Sequence, residues 1–201
     1  MKIKEFYKVK PTFVASFPTV MQIPASSQRE IAFIGRSNVG KSSLINAIFS
    51  SPNLAKTSAT PGRTQMLNFF NMQDVLMIVD LPGYGFAKAP AEIVKNWNEN
   101  VNTYLWGRAQ LRRVFLLIDV RQGVKQVDLD MMKMLDASAV NYQITLTKLD
   151  KVSASTAEKV KSDIANIYPD HPAMHPTILL TSSEKGTGLD DIRGEIFDLI
   201  K

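Results

Sequence analysis

The sequence predicts an α/β fold, a mostly parallel sheet with helices on both faces. Two observations carry that prediction. Short, near-continuous apolar runs alternate along the chain with longer segments whose apolar residues recur at helical spacing. Such alternation implies right-handed crossovers between parallel strands that are buried on both sides. In addition, every string of chemically committed residues falls just after a predicted strand, where open sheets of this kind bind their ligands.

The elements follow in order. Glu30 to Gly35 reads as a buried strand, with Ile31, Ala32, Phe33 and Ile34 consecutive. Lys41 to Ser50 carries Leu44, Ile45, Ala47 and Ile48 at helical spacing. Ser51 to Thr64, rich in Ser, Thr, Pro and Gly, reads as a loop. Met66 to Asn71 and Val75 to Asp80 form two strands joined by a hairpin at Asn71 to Asp74, which implies one antiparallel edge strand. Gly83 to Pro90 is a loop and Ala91 to Trp106 a helix. Arg113 to Val120, Tyr142 to Thr147 and Thr177 to Thr181 complete a six-stranded sheet. Helices are predicted over Val127 to Val140, over Ser153 to Tyr168 with Ser153 or Ser155 as cap, and over Leu189 to Ile200. Residues 1–29, with Lys2, Lys4, Lys8 and Lys10, read as an N-terminal basic arm, and residues 30–201 as one domain.

Composition narrows the functional classes. A chain of 201 residues with 45% hydrophobic content suits one compact domain with a sizeable core. The net charge of +5 suits a polyanionic partner, against the plainer reading of the lysines as a solvated arm. With no cysteine, disulfide frameworks and thiolate metal sites are excluded. No apolar run approaches the roughly 18 residues of a membrane span. Phe13 to Met21 follows the lysines as a signal peptide would, but Pro18, Ser16 and Thr19 interrupt it, so a signal peptide is not expected, and the lack of cysteine permits a reducing, cytosolic setting.

Gly35-Arg36-Ser37-Asn38-Val39-Gly40-Lys41-Ser42 matches G-x-x-x-x-G-K-[ST] in full, between a strand and a helix. Such a loop wraps its main-chain N–H groups around phosphate oxygens, backed by the positive end of the following helix. Lys41 is expected to reach the β- and γ-phosphates, and the Ser42 hydroxyl to hold Mg²⁺. Asp80-Leu81-Pro82-Gly83 ends a later strand. Its carboxylate is placed to face the metal through water, and the Gly83 N–H to meet the γ-phosphate. Thr57, Thr60 and Thr64, in the loop between these motifs, are candidates for the hydroxyl that joins Mg²⁺ only when a γ-phosphate is present.

Thr147-Lys148-Leu149-Asp150 follows another strand. A carboxylate there accepts two hydrogen bonds from guanine, from the ring N–H and the exocyclic amine, and adenine offers no matching pair. The Lys148 stem is placed to cover the base. Thr181, Ser182 and Ser183, after the last strand, offer N–H groups to the guanine carbonyl.

Together these strings resemble the translation-factor-related GTPases. G-R-S-N-V-G-K-S-S from Gly35, T-P-G-R-T-Q from Thr60, D-L-P-G-Y-G-F-A from Asp80, T-K-L-D-K from Thr147 and T-S-S from Thr181 resemble one bacterial branch, the EngB family. The resemblance covers the chain from about Glu30 onward. It implies a Ras-like P-loop GTPase, a three-layer sandwich around a mixed, mostly parallel six-stranded sheet. It implies a slow GTP-hydrolysing switch that binds GTP and GDP, acts as a monomer in the cytoplasm, assists assembly of the large ribosomal subunit through its rRNA, and is required for normal cell division and septation. It further implies Ser42, Thr64 and Asp80 as Mg²⁺ ligands and Lys41 and Thr64 as groups serving catalysis. Nucleotide contacts are implied from Gly35 through Ser43, from Gly62, Arg63, Thr64, Gln65 and Met66, from Asp80 through Gly83, from Thr147 through Asp150, and from Thr181 through Ser183. Asn38 resembles the potassium ligand of related GTPases, which makes K⁺ a second candidate cation beside a plain polar loop role.

The departures bear on rate and affinity. Most GTPases carry Asn where Thr147 stands, and a hydroxyl offers fewer hydrogen bonds than an amide. Tyr84, Gly85 and Phe86 follow Gly83, so no glutamine stands where Ras-type enzymes orient water, and slow hydrolysis is expected. Gln65 and Arg63 are second-choice catalytic groups. Two other classes compete: a guanine-nucleotide sensor or RNA-binding module with negligible turnover, and an ATP-dependent kinase, which the T-K-L-D string opposes. His171 and His175 sit in a proline-bounded loop and are not read as a metal site. Trp97, Trp106, Met131, Met132, Met134, Phe69, Phe70 and Tyr84 are read chiefly as packing residues.

Overall fold

The computed structural model describes residues 2–56, 66–85 and 90–201. A short helix α1 (Ile3–Phe6) is followed by β1 (Thr12–Phe17), β2 (Arg29–Gly35), α2 (Lys41–Ile48), β3 (Leu67–Met72), β4 (Leu76–Asp80) and α3 (Ala91–Gly107). Then come β5 (Leu111–Asp119), α4 (Gln126–Ala137), β6 (Tyr142–Thr147), α5 (Ala154–Ile167), β7 (Leu179–Leu180) and α6 (Leu189–Asp198). The strands form one sheet in the order β1-β3-β4-β2-β5-β6-β7.

β4, β2, β5, β6 and β7 run parallel, and β3 is antiparallel to both β4 and β1. Two expectations are corrected here. The sheet has seven strands rather than six, and the antiparallel strand β3 is interior rather than at the edge, because β1 covers its free side. The extra strand comes from the segment read as a basic arm. Its register shifts between Phe13 and Ala15, so Phe13 meets Phe70 on one face of the sheet while Phe17 meets Phe69 on the other. A bulge of this kind breaks the period of two by which a strand is recognised. Pro11 and Pro18 delimit β1, which suits an edge strand.

Alternation along β2 builds the two cores. Ala32 and Ile34 face a layer formed by Val101, Tyr104 and Leu105 of α3, Met131, Met132 and Leu135 of α4, and Ala157 and Ile164 of α5. Ile31 and Phe33 face the other layer, with Leu44, Ile45 and Ile48 of α2, Ile192, Ile196 and Phe197 of α6, and Phe6 of α1. The three layers keep the sheet dry on both sides, as near-continuous apolar strands require. Ser153 caps α5, its hydroxyl accepting the Thr156 N–H at 3.2 Å. Among the described residues no helix is long and apolar enough to cross a membrane.

At the end of the sheet where the chain enters β2, Glu30 is fully buried and bound by Arg108 and by the Tyr104 hydroxyl, the latter at 3.0 Å. That cluster fixes the end of α3 against the sheet and leaves the opposite end, where the parallel strands finish, for the residues of the predicted site.

Candidate nucleotide site

β2 delivers Gly35 to the carboxyl edge of the sheet, and residues 36–40 turn the chain into α2. Gly40 is the N-cap of α2, with φ 98°, and has no side chain to satisfy the first-turn amides. Those N–H groups, including those of Lys41, Ser42 and Ser43, have no partner within the helix. An eight-residue helix therefore starts with free donors and a positive dipole end at the rim of the sheet. Asn38 is left-handed as well, with φ 63°. Val39 is buried, which pins the loop to the core beneath it.

β4 brings Asp80 to the same edge, where it is almost fully buried and ion-paired with Lys41. The one ammonium of the loop and the one carboxylate of the D-x-x-G turn thus form an ion pair. Leu81 is buried, and the Leu81 N–H bonds to Phe33 C=O at 3.0 Å. Pro82 and Gly83 then pass close over the loop. A Cβ on Gly83 would stand 3.1 Å from Gly35 O and 3.4 Å from Ser37 N, so glycine permits the approach.

β6 brings up the third segment. The Thr147 hydroxyl donates to Val39 C=O at 2.7 Å, and the Lys148 ammonium donates to Asn38 C=O at 2.6 Å and pairs with Asp119 at 3.0 Å. These bonds clamp residues 38 and 39 to the β6 end. Lys148 adopts φ 62°, which turns the chain into a 3-10 turn over Leu149–Lys151. Asp150 there accepts a bond from the Ser182 hydroxyl at 2.6 Å and pairs with Lys151 at 3.0 Å. Both hold the Asp150 carboxyl below the usual aspartate range, Ser182 foremost. Leu149 N–H donates to Thr181 C=O at 3.0 Å, and the Thr181 hydroxyl to Leu146 C=O at 2.9 Å. The loop after β7 is thereby stitched to the one after β6, with Ser183 following at partial exposure.

Sequence reasoning missed two carboxylates. Asp119 ends β5 and is buried between Arg121 and Lys148. Burial by itself would raise its pKa, but the hydrogen bonds from Arg121 and Lys148 outweigh that and hold it at about 2. Its signal was available: a carboxylate closing an apolar strand in a fold whose other strand-end carboxylates were read as functional. Asp128, in the first turn of α4, had no such signal.

The structure brings together Gly35 to Ser43, Asp80 to Gly83, Thr147 to Asp150, and Thr181 and Ser182. Met66 is half-exposed just ahead of β3; because Asn68 pairs with Asp80, it lies beyond the same sheet edge. Gly62, Arg63, Thr64 and Gln65, with Thr57 and Thr60, lie outside the described residues. His171 is buried and bound to Asp136 at 2.6 Å, and Met131 and Met132 are core residues.

Residues 30–148 match the 50S ribosome-binding GTPase family. The chain is 50% identical over 187 residues to the probable GTP-binding protein EngB of Ruegeria pomeroyi, covering 93% of this chain and 86% of that protein. It is 50% identical over 190 residues to the protein of that name from Rhodospirillum rubrum, covering 92% and 82%.

The chain belongs to the EngB family of GTP-binding proteins.

Solved structures agree on the fold. A probable GTP-binding protein EngB superposes with a TM-score of 0.67 at 21% identity, covering 85% of this chain and 98% of that one. Era, in complex with MgGDPNP and nucleotides of 16S ribosomal RNA, gives a TM-score of 0.67 at 23% identity, covering 88% and 58%. The fold is Ras-like, and as an EngB-family protein the chain is a GTPase.

The residues present fit a magnesium ion. Among the described residues no three His, Cys, Asp or Glu side chains converge to form a protein cage. A single buried carboxylate beside a hydroxyl-bearing helix start suits an ion that takes its remaining oxygens from phosphates and water.

Proposed function

We propose that this EngB-family chain is a GTP-driven switch that assists assembly of the large ribosomal subunit, and through it normal cell division. The observation that carries the nucleotide part is the convergence of the Lys41–Asp80 pair, an uncapped helix start and the Asp150–Ser182 pair on one sheet edge, tied together by Thr147 and Lys148.

In this reading Lys41 exchanges Asp80 for the β- and γ-phosphate oxygens, and main-chain amides between Gly35 and Ser43 surround them, those of Ser37 and Val39 being held instead by Tyr84 C=O and Arg36 C=O. Ser42 and Asp80, with Thr64, hold Mg²⁺, which when bound neutralises phosphate charge. Released from Lys41, the Asp80 carboxylate faces the cation side of the site. The Gly83 N–H marks the γ-phosphate, and the family resemblance assigns Gly62 to Met66 to the lining of the nucleotide. Asp150, already oriented by Ser182, accepts the two donors of guanine. The Ser183 backbone N–H meets the guanine carbonyl; the expectation that Thr181 and Ser182 do so as well is corrected, because their N–H groups are bonded to Leu146 C=O at 2.7 Å and Thr187 C=O at 3.0 Å. Lys148 lays its stem beside the base.

Hydrolysis is slow in this account because Tyr84 and Phe86 stand where a water-orienting glutamine serves faster enzymes. K⁺ at Asn38 is a further candidate accelerator; exchange of K⁺ for Na⁺ that leaves the rate unchanged removes it. Residues 30–201 carry the nucleotide cycle in a cytoplasmic monomer, and residues 1–29 bring lysines to the polyanionic partner. The family's description and the net charge of +5 both support ribosomal RNA as that partner. The missing glutamine also favours a second reading, a guanine-nucleotide sensor with negligible turnover.

Multiple-turnover phosphate release, measured with and without large ribosomal particles, separates the two. The switch reading expects slow release that rises when particles are added and falls again with added salt. Release at background in both arms leaves the sensor.

A further inference from the structure

Asp128 is fully buried in the first turn of α4 and belongs to none of the recognised strings. One of its oxygens accepts the Lys125 N–H at 2.8 Å, which seats the carboxylate on the helix start. The other accepts the Tyr84 hydroxyl at 2.7 Å and lies 3.3 Å from Arg36 Nε. Tyr84 is itself buried. Burial foremost, and then the neighbouring Asp128 charge, raise its pKa well above the ordinary value, so the phenol stays protonated and donates.

The two residues gripped in this way are not arbitrary. Arg36 is the second residue of the phosphate loop, and its guanidinium also reaches Gln122 Oε1 at 2.9 Å and Gly123 C=O at 3.2 Å. Tyr84 follows Gly83 directly. Its N–H bonds to Gly35 C=O at 3.2 Å, and its C=O accepts the Ser37 N–H at 3.2 Å. Tyr84, the residue next to Gly83, is therefore held at three points, two on the phosphate loop through backbone and one on α4 through its side chain. Only the third depends on side chains. Trp97 of α3 adds a nearby bond, its indole N–H donating to Pro82 C=O at 3.1 Å.

We infer that Asp128 is a positioning residue for the γ-phosphate contact: through the Tyr84 hydroxyl it fixes the height of the Gly83 amide above the phosphate loop. The inference rests on the GTPase reading of the site and adds a residue and a role to it. GDP has no γ-phosphate, so the loss of this anchor falls on GTP alone. Lys41, Asp150 and the loop amides, which serve both nucleotides, are untouched by it.

The test is the ratio of affinities for a non-hydrolysable GTP analogue and for GDP, both with Mg²⁺, in the full chain. Tyr84→Phe removes only the hydroxyl. It is expected to lower the ratio by about tenfold, the worth of one buried charge-assisted hydrogen bond, with GDP binding within about twofold of the parent. Asp128→Asn keeps an acceptor oxygen at the same place and is expected to retain most of the parent ratio. The indole emission of Trp97 in a Trp106→Phe background reports the turn directly. It is expected to differ between the two nucleotides in the parent and to lose that difference in Tyr84→Phe. An unchanged ratio in Tyr84→Phe, or one shifted toward GTP, overturns the inference. Failure of the parent to bind either nucleotide instead overturns the GTPase reading on which it rests.

Discussion

Thr147 has one hydroxyl hydrogen, and the structure commits it to Val39 C=O at 2.7 Å. Nothing remains in that side chain to donate to a purine acceptor, whereas an amide has two hydrogens to share. In the proposed reading Thr147 therefore acts on the loop and not on the base, and guanine is left to Asp150, which accepts the Ser182 hydroxyl. A prediction follows from hydrogen counting alone. 7-Deaza-GTP, which lacks the ring nitrogen acceptor, is expected to compete within about twofold of GTP, because no buried donor is stranded. A loss of tenfold or more in competition binding would reveal a donor that Thr147 does not supply. At this scale the placement of residues was legible where type and spacing suffice, as for Gly35 to Ser42 between β2 and α2 and for Asp80 at the end of β4. It was not legible where the role depends on a neighbour distant in the chain. Asp119 and Asp128 gain their roles from Lys148, Tyr84 and Arg36, and no spacing rule connects those positions.

Among the elements, the short strand β7 and the helix α6 show how the base-reading loop is kept in place. The N–H of Ser182 bonds to Thr187 C=O at 3.0 Å, closing a tight loop that hands over to α6 at Gly188. Gly188 has φ 70°, and a Cβ there would stand 1.9 Å from Leu180 C=O. Gly188→Ala is thus expected to push the end of β7 outward, costing more than about 2 kcal/mol of stability. A fall of roughly 2–4 °C in Tm per kcal/mol is the corresponding thermal signal. Guanine affinity should weaken with it, and an unshifted melting curve would contradict the close approach. Most elements were legible because their apolar periods are clean: α5 starts at the Ser153 cap and β6 spans Tyr142–Thr147, both where the pattern placed them. β1 was not, because a bulge halfway along moves its aromatic residues from one face of the sheet to the other and its flanking prolines read as interruptions.

Over the whole molecule, the sheet divides the labour between its two ends. One end is closed by the buried Glu30–Arg108–Tyr104 cluster, and the other gathers loops from β2, β4, β5, β6 and β7. The order of elements foretold that arrangement, since parallel strands with crossovers must finish at a common edge. What the order did not foretell is how firmly the edge is tied before a nucleotide arrives. Lys41 rests on Asp80, Lys148 on Asn38 and Asp119, Thr147 on Val39, and Tyr84 on Asp128. The phosphate loop and the Thr147–Asp150 segment are thereby joined at one sheet edge, and in the proposed function the choice of nucleotide is set by both at once. Calorimetric titration of the intact chain with GTP, GDP and ATP in the presence of Mg²⁺ tests this most directly. The account predicts that both guanine nucleotides bind at least about a hundredfold more tightly than ATP, and that Lys41→Ala loses all three while the chain stays folded. Equal affinity for ATP and GTP, or full GTP affinity in Lys41→Ala, would contradict it.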